Sequence, residues 1–475
     1  MNLKNRMLCA LLALLMLGGM LSSCVAKPVE DVKDEWQGKD KYLIKGNQDS
    51  TYFERYSEYK NTAHTAFLNN AAAAESDFET EEYEGGIRIL SYKGKEQVVV
   101  IPDEIGGKSV LALGASAFVD STARAIRVPD GVVAIDKGAF AGCNNLVTLG
   151  LPFIGDGGEN THLGYIFGAD SYENHAVKVP ASLDIVLIYG QVTEVAENAF
   201  AGCKSLSCVV LPESIERVGS FAFYECKDLC YVKLGENVDQ VGSYAFGYCS
   251  SLYEVTLEGA SEIGLGAFYE CNALESLFVP FVGESATENR YFGYIFGAES
   301  AEYNGEFVPT SLKTVLLPGC EEIPDRGFAD CADIRWILLD SFQTVSIGVR
   351  AFYGCRSLTE IYIPDSVKSV GDDAFFGCDN LKTVSLGAGI ESIGMQAFYG
   401  CLSLESVSIP EKVTEIKPST FALCEALVSV ELNNVKKIGK DAFWGCTSLM
   451  GVGCEGIDVA EGNEALLRSA SESGE

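Results

Sequence analysis

An Ala-Phe dipeptide that recurs at steps of 22 to 24 residues constrains the fold of this chain more than any other feature. Two units carry Gly327 or Thr420 in place of the alanine, and two of the steps are 60 residues long. A repeat with a period of about 20 to 50 residues indicates stacked copies of one structural unit. The twelve repeat phenylalanines are Phe118, Phe140, Phe200, Phe223, Phe246, Phe268, Phe328, Phe352, Phe375, Phe398, Phe421 and Phe443.

Each unit follows the pattern L-x-x-V-x-L-P-x-x-V-x-x-I-G-x-x-A-F-x-x-C, and a clean copy begins at Leu358. The L-x-x-V-x-L segment alternates as a short strand does, with every second side chain pointing inward. A single unit cannot bury its apolar edge alone, so the units must stack. The pattern therefore predicts a solenoid of 22–24-residue units, with a parallel sheet on one face and the phenylalanines in a central row.

This pattern resembles the BspA-type leucine-rich repeats of bacterial cell-surface proteins, over about residues 84–454. The resemblance implies an α/β-type solenoid, here assigned to residues 83–454. It also implies an adhesin-like or ligand-binding role without enzymatic activity. A hairpin between Gly86–Gly94 and Val98–Pro102 is expected to cap the first coil, and residues 455–475 are expected to form a C-terminal cap and polar tail.

The first 23 residues have the features of an export signal. Lys4 and Arg6 precede an apolar run that ends in Leu21-Ser22-Ser23-Cys24 and is shorter than the about 20 residues of a membrane-spanning helix. This end resembles the lipobox of bacterial lipoproteins, which implies that Cys24 is acylated. We therefore expect a protein exported to the bacterial cell envelope, surface-exposed, touching the membrane through its lipid anchor only. Residues 24–82 are acidic and predicted to be a stalk.

Charge and histidine content exclude several functions. Sixty-seven acidic residues against 35 basic ones give a formal charge of −32, and loss of Lys4 and Arg6 with the signal moves it to −34. Nucleic acid is therefore not an expected partner, because phosphate contacts need clustered Lys and Arg. With three histidines and no recurring acid/base or nucleophile cluster, we expect no catalytic residues, no metal site and no cofactor. A hydrolase is the weakest hypothesis.

Cysteines occupy one fixed position of the repeat, three residues after the phenylalanine. Stacked strands place successive Cβ atoms about 4.8 Å apart, slightly beyond the reach of a disulfide, so we predict a row of reduced, buried thiols. A disulfide among the off-row cysteines Cys208, Cys230, Cys320 and Cys454 stays open. The row comprises Cys143, Cys203, Cys226, Cys249, Cys271, Cys331, Cys355, Cys378, Cys401, Cys424 and Cys446.

The two 60-residue steps contain insertions, at about residues 153–181 and 281–310. Both include the sequence G-Y-I-F-G-A, and the copies lie 128 or 129 residues apart, which indicates a duplicated block. His162 and His175 align with Tyr291 and Asn304, which argues against a catalytic histidine pair. We expect loops that either bind a partner or cover the apolar outward strand positions, which are Ile185, Leu187, Leu316, Trp336 and Leu338.

The predicted function is binding of a macromolecule by a monomer with a rigid surface. The ligand is an extracellular protein or, as the alternative, a glycan stacked on the same aromatic rings. The candidate contact residues are Tyr165, Phe167, Tyr294 and Phe296 in the insertions and Tyr231, Phe278, Trp336 and Tyr362 on the sheet.

Overall fold

The computed structural model describes residues 70–339 and 343–467, and it confirms the predicted leucine-rich repeat solenoid. Each regular coil has three sides: a strand of three or four residues, a two-residue strand, and a corner of consecutive turns that contains the Ala-Phe pair. The expected α/β character is slight, since the two α-helices within the described residues, Tyr172–Lys178 and Asn304–Phe307, both lie in the insertions.

The longer strands form two parallel sheets with neighbours in chain order, as the repeat predicts. The first sheet contains Val98–Val100, Ala125–Arg127, Thr148–Leu151, Ile185–Ile188, Cys208–Val210 and Tyr231–Lys233. The second contains Glu254–Thr256, Ser276–Phe278, Thr314–Leu317, Trp336–Leu339, Glu360–Ile363, Thr383–Leu386, Ser406–Ser408 and Ser429–Glu431.

Two-residue strands line the second side of the coils in three parallel groups, because each V-x-x-I segment pairs with the same segment of the next coil. These strands are Glu194–Val195, Arg217–Val218, Gln240–Val241 and Glu262–Ile263; then Glu322–Ile323, Ser346–Ile347, Ser369–Val370 and Ser392–Ile393; and finally Glu415–Ile416, Lys437–Ile438 and Asp458–Val459.

The repeat phenylalanines form the core row that the sequence predicts. Their rings stack nearly parallel, as at Phe375–Phe398, where the centroids are 5.1 Å apart and the planes differ by 2°. The spacing follows the backbone, because each corner donates a hydrogen bond to the next, such as the Phe375 N–H to the Ala397 carbonyl at 2.7 Å. Offset aromatic pairs contribute about 0.5–1.5 kcal/mol each beyond the burial of their surface.

The N-terminal cap differs from the predicted hairpin. The antiparallel hairpin joins Phe78–Tyr83 to Gly86–Tyr92, so its first strand lies inside the predicted stalk 24–82. Val98–Val100 does not pair with Gly86–Tyr92 but begins the first parallel sheet. Gly86–Tyr92 pairs instead with Lys108–Leu113, which also contacts Glu104–Ile105 and Ala134–Ile135. The cap joins the core because Tyr92 stacks on Phe118 at 5.2 Å.

At the other end, a 3-10 helix, Glu464–Leu467, follows the last two-residue strand and buries Leu466. The buried Asn463 amide fixes this segment to the last coil. Its Oδ1 accepts the Phe443 N–H at 3.0 Å, and its Nδ2 donates to the Gly439 carbonyl at 2.9 Å.

The insertions are not projecting loops, contrary to our expectation. Their 3-10 helices, Leu163–Phe167 and Phe292–Phe296, supply buried side chains where a repeat corner is missing. The second insertion bridges the aromatic row, since Phe296 contacts Phe268 at 6.3 Å and Phe292 contacts Phe328 at 4.6 Å. A further 3-10 turn, Ala301–Tyr303, precedes its short α-helix. The G-Y-I-F-G-A sequence thus completes an irregular coil.

The cysteine row lies inside the corners. Nine repeat thiols donate a hydrogen bond to the carbonyl of the preceding repeat phenylalanine, as Cys249 does to Phe223 at 3.1 Å. Cys203 and Cys331 lack that bond because an insertion precedes each of them, and Cys331 contacts the Ala329 carbonyl at 3.9 Å instead. Cysteine suits this position because it is small and carries a weak S–H donor.

We predict that these thiols resist modification in the native protein. Burial raises the pKa of Cys143 to about 11 and that of Cys203 to about 12, and the thiolate is the reactive form. A thiol reagent should therefore find few groups in the native chain and about eleven more after denaturation without reductant. A denatured sample treated with reductant gives the full count. If denaturation alone exposes no further thiols, the row is oxidised and the prediction is wrong.

Candidate functional site

A groove lined by tyrosines lies on the turn side of three coils, against the end of the second insertion. Its volume is about 680 Å³. The inner rings are half-buried and Tyr303 at the rim is 45% exposed. We call it the tyrosine groove, and its lining residues are Phe221, Tyr224, Tyr244, Tyr248, Tyr269, Gly297, Glu299, Tyr303, Glu306 and Phe307.

Most ring pairs in the tyrosine groove meet edge to face. Tyr248 contacts Tyr224 at 5.4 Å with an interplanar angle of 86°, and Tyr269 at 5.3 Å with an angle of 78°. Tyr244 meets Tyr269 at 5.8 Å and 70°. Phe307 of the insertion contacts Tyr269 at 6.5 Å, which joins the insertion to the ring cluster. The rings therefore pack on one another at steep angles, apart from the parallel pair Phe221–Tyr244 at 7°.

Three of these aromatic residues have a left-handed backbone. Phe221, Tyr244 and Tyr248 have φ angles of 58°, 54° and 61°. The corner requires this conformation two residues before or after the repeat phenylalanine, and other coils use glycine there, as at Gly377 and Gly400. The left-handed conformation costs an L-residue about 1–2 kcal/mol. Other large residues hold the same conformation outside the groove, as Arg326, Gln396 and Leu423 do, so the conformation belongs to the repeat.

Two glycines permit the close packing of the rings. Gly297 has a φ of 101°, and a Cβ there would lie 2.8 Å from Cδ2 of Tyr269. Gly266 has a φ of 62°, and a Cβ there would lie 2.8 Å from Cε1 of Tyr244. The second glycine of G-Y-I-F-G-A thus ends a 3-10 helix and admits a groove ring at the same point.

The duplicated block does not repeat the groove. At equivalent positions, Tyr244 corresponds to Ser116, Tyr248 to Asp120 and Tyr269 to Ala141. The first copy has Lys178 where the second has Phe307. Since the first copy builds the same coil and insertion without these rings, the fold does not need them.

The groove is acidic as well as aromatic. Two exposed carboxylates, Glu299 and Glu306, belong to its described lining, which includes no lysine or arginine. Burial, together with the neighbouring Glu225 carboxylate, raises the pKa of Tyr224. Burial also raises the pKa of Tyr248, with contributions from the Tyr269 and Tyr224 hydroxyls. These rings therefore stay neutral at physiological pH and face negative charge.

The insertion aromatics that we selected as contact residues are mostly internal. Phe167 and Phe296 are only 3% and 1% exposed, because they fill the core row at the missing corners, so they offer no surface to a ligand. Tyr165 and Tyr294 are half-buried and pack edge-on against His162 and Tyr291. None of the four lines the tyrosine groove.

The sheet aromatics that we selected do not form one cluster. Phe278 is 3% exposed and therefore unavailable as a contact. Tyr231 and Trp336 are half-buried, in different sheets, and Tyr362 is 39% exposed.

Of the apolar outward positions, Ile185 is buried, while Leu187, Leu316, Trp336 and Leu338 are half-buried. Backbone hydrogen bonds of the insertions lead to the corners, as from the Leu163 N–H to the Ala199 carbonyl.

The outward strand positions do not reveal the tyrosine groove, because it lies on the turn side of the coils. A sequence signal is aromatic enrichment around the repeat phenylalanine, in S-F-A-F-Y-E, S-Y-A-F-G-Y and L-G-A-F-Y-E. This signal is not specific, since Tyr353, Phe376, Tyr399 and Trp444 also follow a repeat phenylalanine directly. Phe307 and Tyr303 could not be placed from the sequence, since their position depends on the path of the insertion.

The described part of the chain offers no group of three or more metal-ligating His, Cys, Asp or Glu side chains. Within the same residues, no helix has the length and apolar character needed to cross a bilayer. Cys24 lies outside the described residues.

Comparison with known proteins gives a family. A model described as the BspA type leucine rich repeat region matches six copies, in residues 107–154, 174–292 and 321–450, which is more than half of the chain. Among curated proteins, no sequence relative matches.

Several solved structures are similar to this chain. A leucine-rich repeat protein from Bacteroides ovatus is 20% identical over 71% of this chain and 94% of its own, with a TM-score of 0.34. A leucine rich cell surface protein from Faecalibacterium prausnitzii is 22% identical over 86% and 99%, with a TM-score of 0.31. The pneumococcal vaccine antigen PcpA is 17% identical over 82% and 93%, with a TM-score of 0.25.

A buried histidine pair holds the first insertion against the next coil. The His162 and His175 rings lie 5.5 Å apart, and His175 is fully buried. His175 Nε2 contacts the Ala201 carbonyl and must therefore carry the proton, while its Nδ1 is buried without a partner. In the second insertion Asn304 occupies this position, accepting the Gly293 N–H at 2.8 Å and donating to the Arg326 carbonyl at 3.1 Å.

We predict that acid loosens the first insertion but not the second. Burial lowers the pKa of His175 and also that of His162. At His162 the Lys137 charge lowers the pKa further, and the Asp156 charge raises it. The unfolded segment therefore binds protons more readily. Local stability is fully present above the ordinary pKa of about 6.5 and falls with pH below it, by at most about 1.4 kcal/mol per pH unit for one proton.

Hydrogen exchange at residues 163–179, corrected for the intrinsic pH dependence, measures this loss between pH 7.5 and 5.5. Protection should fall in the wild type by up to tenfold per pH unit, and by less in His175→Asn, which copies the second insertion. Residues 292–308 of the same molecule are the internal control. An equal fall in His175→Asn would contradict the prediction.

Proposed function

Because the chain belongs to the BspA-type leucine-rich repeat family, we propose that it is a lipid-anchored, non-enzymatic surface protein that binds a macromolecular ligand in the tyrosine groove. The leader sequence and the lipobox at Cys24 support the anchor. The acidic part of residues 24–82 that precedes the hairpin strand Phe78–Tyr83 supports a stalk between that anchor and the cap. The description of a similar structure as a cell surface protein agrees with this location.

The observation that carries the binding site is a cluster of aromatic rings that the fold does not need. Tyr248 packs against Tyr224 at 5.4 Å and against Tyr269 at 5.3 Å. The duplicated block folds with serine, aspartate and alanine at three groove positions. Aromatic side chains that line a groove and that the fold does not need are explained most simply by a ligand.

The mechanism we propose is recognition by a pre-ordered surface. The groove rings lie on corners whose backbones are hydrogen-bonded to both neighbouring coils, as between Phe223 and Ala245 at 2.7 Å. Tyrosine loses little conformational entropy on binding and offers both ring surface and a hydroxyl. Binding therefore orders few groups, and the half-buried rings act as anchors.

We predict that Tyr248→Gly abolishes ligand binding and leaves the fold intact. Glycine adopts the required left-handed φ, and it occupies the equivalent position at Gly377 and Gly400. The measurement is retention of extracellular-matrix proteins by the immobilised full chain, with a glycan array to test the carbohydrate alternative. Protein ligands held by the wild type should be lost by the variant, with circular dichroism unchanged.

Leu423→Gly is the matched control. Leu423 occupies the same corner position with a φ of 59°, four coils or more from the groove, so its replacement makes the same backbone change elsewhere. It should retain every ligand. Ligands held equally by the wild type and Tyr248→Gly would overturn the assignment of the site, and ligands found only on the glycan array would favour the carbohydrate module.

We predict separately that Cys24 carries the anchor. A Cys24→Ala variant should fail to incorporate labelled fatty acid and should leave the membrane fraction, because acyl chains hold the protein at about 0.8 kcal/mol for each buried methylene. Cys9→Ala, within the cleaved leader, is the control and should still be labelled. A Cys24→Ala protein that stays labelled and membrane-bound would contradict the lipoprotein assignment.

A further inference from the structure

We infer that the tyrosine groove binds a basic segment of a partner protein, with a lysine or arginine side chain enclosed by its rings. This inference rests on the proposed function and names the chemistry of the ligand. Three observations carry it: the orientation of the rings, the charge of the groove, and the places where the chain puts its own arginines.

The ring orientation fits a cation better than a sugar. A cation is attracted to the face of an aromatic ring. The Tyr248 ring is nearly perpendicular to Tyr224 at 86° and to Tyr269 at 78°. A sugar stacks on a flat ring surface, and among the contacting ring pairs of the groove only Phe221–Tyr244 is parallel, at 7°.

The charge of the groove has the sign that a cation requires. Glu299 and Glu306 are both exposed at its rim, and Glu306 directly precedes the ring of Phe307. Glu225 and Glu270 directly follow Tyr224 and Tyr269 at the corners. With a formal charge of −32, the whole chain also attracts basic partners at long range.

Outside the groove, arginine side chains of this chain lie over tyrosine rings. Among the described residues, Arg88 lies 4.2 Å from the Tyr83 ring centroid, Arg127 5.1 Å from that of Tyr189, and Arg350 5.7 Å from that of Tyr353. All three pairs lie outside the groove, whose lining includes no lysine or arginine. A volume of about 680 Å³ accommodates more than one ammonium group, which favours an extended peptide segment.

The experiment measures the fluorescence anisotropy of labelled nine-residue peptides with the purified full chain. The peptides contain three arginines, three glutamines or three glutamates in an otherwise identical Gly-Ser sequence. The arginine peptide should bind at least tenfold more tightly than the glutamine peptide, and the glutamate peptide should not bind. Raising the salt concentration should weaken the binding without abolishing it, since ring contacts are less screened than charge pairs.

Two groove variants and two matched controls separate the site from general attraction to an acidic chain. Tyr248→Gly and the double variant Glu299→Gln/Glu306→Gln should each weaken arginine-peptide binding at least tenfold. Leu423→Gly makes the same backbone change outside the groove. Glu405→Gln/Glu411→Gln removes the same charge from exposed positions in a distant coil. Both controls should bind as the wild type does.

Equal weakening by Glu405→Gln/Glu411→Gln and by the groove variants would overturn the inference, because the peptide would then bind to net charge alone. Undiminished binding by Tyr248→Gly would also overturn it. A chain that loses its matrix ligand on Tyr248→Gly but binds no arginine peptide keeps the proposed function and refutes the cation. Loss of neither ligand refutes both.

Discussion

The stacking of one backbone corner on the next is the interaction on which the rest of this structure depends. A coil of about 23 residues has almost no interior of its own, so its apolar side chains become buried only between neighbours. The corner hydrogen bonds, such as that from Phe375 to Ala397 at 2.7 Å, bring the coils close enough for the phenylalanine rings to stack. The same distance leaves room for a cysteine that donates its S–H to the preceding coil, and an insertion breaks this bond at Cys203 and Cys331.

The corner also explains why function can reside on the turn side. Its geometry demands left-handed residues two positions before and after the phenylalanine, but their side chains point away from the core. These side chains can therefore vary without changing the stacking of the coils. A residue other than glycine costs about 1–2 kcal/mol of backbone energy at each such position. Gly400 and Tyr248 occupy the same corner position with the same left-handed backbone, and only Tyr248 adds a ring to the surface.

The fold was predictable from the sequence because it depends on period alone. Alternation predicted the strand at Glu360–Ile363, and spacing predicted the row at Phe375 and the burial of Cys378. The cap was predicted with the wrong partners because the pairing of Phe78–Tyr83, Gly86–Tyr92 and Val98–Val100 is decided by tertiary contacts. The groove was beyond such reasoning, since Phe307 reaches Tyr269 only through the path of the insertion. Patterns that repeat predict the repeated coil, whereas the groove also depends on Phe307, which lies in an insertion.

The two halves of the duplication show how such a departure arises. Both insertions must fasten an irregular coil to the corner that follows, and each uses one fully buried polar side chain, His175 in the first and Asn304 in the second. The position that follows differs between the copies. The first copy has Lys178 there, and the second has Phe307, which packs against the core and contacts Tyr269. Because stability is shared only between neighbouring coils, this divergence left the rest of the solenoid unchanged.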